Sequence, residues 1–178
     1  MWVAMLGTAL FVSRRYGTRM STDYGLAFRP RDIPWGLLAA ACALVAVQAV
    51  LIVFAHTRFA GNNLDIITKQ KGHEIGFVVV SLLVATGAPF FEELFFRGFL
   101  RTALQQRFGG HGAVWLQAVL FGLAHLGEAS TELGNVSVVL AMVVVGATLG
   151  YTAKLTKRLG AGMVAHCLFN LVAVVSVL

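Results

Sequence analysis

Glu92 and Glu93 stand side by side in an otherwise apolar stretch, and Arg97 follows Glu93 at the four-residue interval that brings a carboxylate and a guanidinium together along one helix face. Successive residues of a helix point about 100° apart, so the two acids cannot share one role. Glu93 reads as the paired, structural acid. Glu92 has no partner three or four residues away and should face a bundle interior, where a carboxylate can act as a general base. His125 follows Phe121 by four residues and Gln117 by eight, which stacks the three on one face that could line a cavity. His166 and Asn170 are also four apart, an imidazole beside a carboxamide, two donors that could stabilise a developing oxyanion. Blander readings stand beside these. The acids could form a buried ion network without chemistry, His125 a hydrogen-bonded interfacial residue, and His166 with Asn170 a helix-to-helix hydrogen bond.

The elements that must position these groups are set by composition. Of 178 residues, 58% are hydrophobic and 12% charged, against about 45–50% and 25% in an ordinary soluble domain. That excludes a water-soluble globule. A hydrocarbon core needs about 20 apolar residues in a helix. Residues 35–55 and 136–153 are uncharged spans, and 159–178 holds His166 as its one ionisable side chain. Residues 75–91 are uncharged too, and their apolar character resumes after the two acids as far as Leu104; one long helix kinked at Pro89 is expected. Residues 112–127, with His125, form a short span or a re-entrant segment. Residues 1–12 read as a terminal span rather than a signal peptide, since no charged segment precedes them and no cleavage site follows. The expected fold is all-α, a polytopic transmembrane helix bundle of about six membrane segments around an intramembrane polar site.

The 14 Lys and Arg residues exceed the 8 Asp and Glu, for a formal net charge of +6. Eleven of the 14 fall in the alternate connections 13–34, 97–112 and 153–159, and three in 57–74 and 127–135. The excess of cations on the cytoplasmic side of membranes assigns the first set to the cytoplasm and the amino terminus to the outside. Trp35, Trp115 and Tyr151 then lie at cytoplasmic ends of spans. Cations so placed point to membrane lipid headgroups as the electrostatic partner, and not to nucleic acid. Cys42 and Cys167 sit within apolar runs as small hydrophobes rather than a disulfide pair. Gly146 and Gly150 read as a close helix contact inside the bundle in preference to a dimerisation face. Counting helical rise from the span ends, Glu92 lies about 13 Å deep, His125 about 20 Å, His166 about 10 Å and Asn170 about 16 Å. Three separate segments thus bring polar groups to a common level.

The segments 92–97, 121–125 and 166–170 spell EExxxR, FxxxH and HxxxN. In that order on successive hydrophobic segments they resemble the CPBP family, the CAAX proteases and bacteriocin-processing enzymes also called Abi proteins. The resemblance extends from about residue 75 to the end. It divides the chain into amino-terminal membrane helices and loops, 1–74, and a CPBP-type catalytic core, 75–178. It implies an all-helical intramembrane endopeptidase similar to the type II prenyl endopeptidases that remove the last three residues of prenylated CAAX proteins. Carried onto this chain, Glu92 would be the base and would act with His125 on a water. His166 and Asn170 would hold the oxyanion, and Glu93 with Arg97 would hold the site together. The substrate would be a peptide or protein, a lipid-modified one included. A divalent metal such as zinc, with Glu92, His125 and His166 as ligands, is an alternative to a metal-free glutamate and histidine mechanism; no HExxH occurs. The rival readings are a non-catalytic scaffold or bacteriocin-immunity protein of the same fold, and a small transporter or proton relay. The Ala/Val/Gly-rich, Arg-over-Lys composition reads as a bacterial cell-membrane protein.

Overall fold

Lipid offers no partner to a backbone N–H or C=O, so a chain this apolar must close its hydrogen bonds within helices. The computed structural model describes residues 2–59, 67, 69, 73–129 and 131–177, and all regular structure among them is helical. The helices are α1 (Trp2–Tyr16), α2 (Met20–Asp23) and α3 (Asp32–Phe54), then a continuous rod of Glu74–Leu82 (α4), Leu83–Gly87, Ala88–Glu92 (α5), Glu93–Leu100 and Arg101–Leu123 (α6), and lastly α7 (Asn135–Thr156) and α8 (Gly160–Val175). Three stretches, Asp32–Phe54, Glu74–Leu123 and Asn135–Thr156, are long and apolar enough to cross a membrane, and Gly160–Val175 is a shorter apolar helix. The chain is an all-α integral membrane bundle.

The rod of 50 residues is in fact a hairpin. Gly109 breaks the helical backbone with φ 68° and ψ 175°, a left-handed value that a glycine adopts without a Cβ clash. Phe96 and Phe121, lying on either side of it, meet edge to face with centroids 5.1 Å apart. In a straight helix that separation would be about 37 Å. The sequence reading of one long helix followed by a second segment therefore holds, with the turn at Gly109.

Small residues let the helices close on one another. A Cβ on Gly146 would sit 2.9 Å from the Ala118 Cα, and one on Gly150 2.5 Å from the Gln117 Nε2. Gln117 uses that amide to donate to the Gly146 carbonyl at 2.8 Å. The glycine pair thus serves packing of α7 on α6. The buried core gathers Phe96, Phe121, Met142, Val145, Leu149 and Ala165. Outward faces carry Val45, Ile52, Leu82 and Val119, as lipid contact requires. Cys42 faces outward as well, and Cys167 is half-buried; both are free thiols.

The amino-terminal helices pack directly on the motif-bearing ones. Trp2 stacks on Phe91 with centroids 5.7 Å apart, and Tyr24 donates its hydroxyl to the Ala9 carbonyl while packing against Leu94 and Phe99. Asp23 ties α2 back to α1 through the Ser13 hydroxyl at 2.7 Å; that bond and the Thr18 N–H hold its carboxyl below the usual carboxylate range. The connections assigned above to one side do converge. Leu159 N–H donates to the Gly25 carbonyl at 2.8 Å, Arg158 pairs with the fully buried Asp32 at 2.6 Å, and the Lys154 stem runs over Gly110. This is the cation-rich end of the bundle. One count changes: Arg97, taken with the connection 97–112, is wholly buried and contributes nothing to that surface.

Candidate active site

Pro89 shapes the helix that carries the two acids. Proline has no N–H, and its ring presses on the carbonyl four residues earlier. The helix answers by widening: Leu83–Gly87 is π-helical, and the Ala88 N–H reaches back five residues to the Leu83 carbonyl. In that register the next carbonyl, of Val84, would be served by the N–H of residue 89, which does not exist. The Asn170 side chain supplies the donor instead, its Nδ2 bonding to the Val84 carbonyl at 2.8 Å. A second widened stretch, Glu93–Leu100, begins at the second of the two acids.

Where the second widened stretch starts, Glu92 and Glu93 both reach α8. His166 sets its Nδ1 3.1 Å from the Glu93 Oε1 and its Nε2 3.8 Å from the Glu92 Oε2. All three residues are buried. Glu92 is buried with no partner on its own helix, as its spacing implies; what the spacing does not show is that His166, from another helix, lies between both acids. The two ring nitrogens lie on opposite sides of one imidazole, so one His can face two diverging carboxylates. Glu93 also meets Arg97 at 3.1 Å, as its spacing foretold, with both side chains inaccessible. The Arg97 guanidinium lies 4.1 Å from the centroid of the Phe121 ring, a cation–π contact in a desolvated setting. Gly162 allows this closeness, because a Cβ there would come 2.6 Å from the Glu93 Oε2.

His125 stands apart from this cluster. It lies just beyond α6, half-buried, with Nδ1 2.8 Å from the Phe121 carbonyl and its ring 4.7 Å from that of Phe121. Phe121 touches the His166 ring as well, at 5.9 Å, edge to face. One aromatic side chain therefore contacts both imidazoles and the guanidinium. Gln117, expected to line the same face, is spent on the helix contact described above. Sequence reasoning placed Phe121 on the right face without giving it a part, and it missed Gly162, whose signal was a small residue one turn before His166.

As an acid–base constellation the arrangement is coherent. Glu93 accepts from His166 Nδ1–H and so aims Nε2 at the space beside Glu92; a protonated Nε2 there is a donor for an oxyanion. As a zinc centre it is not. A catalytic zinc takes three protein ligands, and among the described residues no group of three His, Cys, Asp or Glu side chains could hold a metal ion. Glu92 and His166 are neighbours, but His125 is turned to its own helix end, so no step below runs through a metal.

The role of Asn170 in holding Val84 gives an expected result. Asn170→Ala leaves a carbonyl without a donor and should cost about 1–3 kcal/mol. Pro89→Ala restores an N–H at the position that the carbonyl would use. Thermal unfolding in detergent micelles should show the Asn170→Ala penalty shrinking by more than half in the Pro89→Ala background; an equal penalty in both backgrounds would mean that the amide does not compensate for the proline.

A family model described as Rce1-like, type II CAAX prenyl endopeptidase Rce1-like, matches residues 74–172. That stretch holds all of the motif residues. No curated protein and no solved structure matches the chain.

Proposed function

Because the chain belongs to the Rce1-like type II CAAX prenyl endopeptidase family, we propose that it is an intramembrane endopeptidase in which Glu92 activates a water against a peptide bond. The family is a protease family, which supports hydrolysis as the class of reaction. The observation that carries the reading is the buried set of Glu92 facing His166 Nε2 at 3.8 Å, with Glu93 and Arg97 locked behind it.

In this reading the Glu92 carboxylate takes a proton from water as the oxygen attacks the carbonyl carbon. His125, its Nδ1 engaged by the Phe121 carbonyl, keeps Nε2 free to orient that water. The oxyanion that forms accepts from Nε2–H of His166 in its imidazolium form, whose Nδ1–H stays on Glu93, and from the second Nδ2 proton of Asn170. Glu92 then returns its proton to the departing amine, and the C–N bond breaks. The substrate is a peptide or protein, and a prenylated CAAX peptide is the probe that the family description names. The composition supports a bacterial cell membrane as the setting.

The test is a comparison of membrane peptidomes from cells carrying the wild-type chain and Glu92→Gln, each with and without a chelator. Cleaved peptides should be present with the wild type, absent with the variant, and unaffected by chelation. Identical peptidomes would favour the scaffold reading, and loss on chelation would bring a metal into the mechanism.

A further inference from the structure

At the cation-rich end, away from the site described above, four side chains from two helices converge on the Gly109 corner. His111 Nδ1 lies 3.0 Å from the Tyr151 hydroxyl, and Lys154 Nζ lies 3.0 Å from His111 Nε2. Trp115, half exposed, meets the Tyr151 ring edge to face at 6.5 Å. The stem of Lys154 can lie across the corner only because Gly110 has no side chain, since a Cβ there would come 2.9 Å from the Lys154 Cε.

The hydrogen-bond directions can be worked out from what each group is able to do. An ammonium has no acceptor, so Lys154 donates to His111 Nε2. That nitrogen therefore carries no proton, and the neutral ring has its proton on Nδ1. His111 Nδ1–H donates to the Tyr151 oxygen. The Tyr151 O–H must then point to a further acceptor, and Lys154 keeps two unused N–H groups. What the cluster presents outward is a set of donors with one positive charge. Neither α6 nor α7 carries an Asp or Glu to meet it. The other carboxylates near this end are engaged, Asp23 by Ser13 and Thr18 and Asp32 by Arg158 and the Arg29 N–H.

We propose that His111, Trp115, Tyr151 and Lys154 form a binding site for the phosphodiester of an anionic phospholipid headgroup. A phosphodiester brings what the cluster lacks: several acceptor oxygens and one negative charge. The source is the membrane because the site lies at a helix corner of an apolar bundle. Its floor is a half-exposed Trp beside a Tyr, the pair of rings that favours the headgroup level. The surrounding surface is the end where most of the exposed cations gather.

The full-length protein in dodecyl maltoside is titrated with dioleoylphosphatidylglycerol, with dioleoylphosphatidylcholine and with inorganic phosphate, and the thermal unfolding midpoint is followed. Phosphatidylglycerol should raise the midpoint saturably, while phosphatidylcholine and phosphate leave it in place. Lys154→Gln should raise the half-saturating phosphatidylglycerol concentration about fivefold, the loss of one cation near an anionic surface. Tyr151→Phe keeps the ring packing on Trp115 and removes the hydroxyl, with its bond to His111, so it should weaken the response; the lipid-free midpoint should move little because that bond is solvent-exposed. Arg58→Gln, beyond the opposite end of α3, should leave the response as in the wild type. Equal shifts with both lipids, a wild-type response in both cluster variants, or a shift of the same size with inorganic phosphate would each overturn the proposal. The lipid response does not depend on peptide cleavage, so its failure leaves the hydrolase reading untouched.

Discussion

Glu92→Gln is expected to lower the rate of peptide cleavage by about 10²–10⁴-fold, the contribution of a positioned general base, with little change in stability. The amide is nearly isosteric with the carboxylate. It can occupy the same place opposite His166 Nε2, 3.8 Å away, but it cannot take a proton from water at neutral pH. Stability should change little because the close ion pair of Glu93 with Arg97 is kept in the variant. The loss should appear in kcat with KM nearly unchanged, since the group acts on the attacking water and not on the bound chain. Cleavage assays of the purified variant, with its unfolding midpoint measured on the same sample, check both halves. A folded Glu92→Gln protein that cleaves at the wild-type rate would remove Glu92 from the chemistry.

The second large effect concerns stability. Glu93→Ala should destabilise the protein by about 3–5 kcal/mol, because it leaves the Arg97 charge in a wholly inaccessible position. The Phe121 ring 4.1 Å from the guanidinium is in place in both proteins, so it does not offset that loss. A double variant, Glu93→Leu with Arg97→Met, removes both charges and fills similar volume, so it should recover most of the lost stability. Activity should not return with it. His166 would have lost the carboxylate that fixes its Nδ1 proton and aims Nε2. Unfolding midpoints and cleavage rates of the two variants, set side by side, separate holding the fold from orienting the imidazole.

Much of the framework was legible before any coordinates. The uncharged runs are the helices, Glu93 and Arg97 pair across one turn, the glycine pair of α7 packs internally, and Pro89 disturbs its helix at the expected place. What could not be read depends on geometry between helices. A strict 100° step per residue separated Glu92 from Glu93 and left no reason to give both acids the same partner. That partner comes from α8, and the widened stretches alter the helical step before the pair and from its second member onward. Asn170 was read with His166 as an oxyanion donor; one of its N–H groups is taken by a carbonyl that only the π register exposes. His125 was measured as if its helix ran through it, whereas α6 ends two residues earlier. Arg97 was counted among surface cations because charge alone does not reveal burial.

Membership in a protease family supports hydrolysis as the class of reaction, and the buried cluster is the basis of the proposed mechanism. Neither depends on the headgroup site, which lies at the end of the bundle and is made of other residues. What joins the account together is the claim that Glu92 delivers a water to the peptide carbonyl without itself becoming bonded to the substrate.

A single turnover in H₂¹⁸O tests that claim most directly, using a peptide taken from the peptidome comparison and enzyme in excess. Direct attack by water places ¹⁸O in the new carboxylate of the product and leaves the peptide containing Glu92 unlabelled. An unlabelled first-turnover product, with ¹⁸O found instead in the Glu92 side chain, would show that the carboxylate is a covalent nucleophile and would contradict the account.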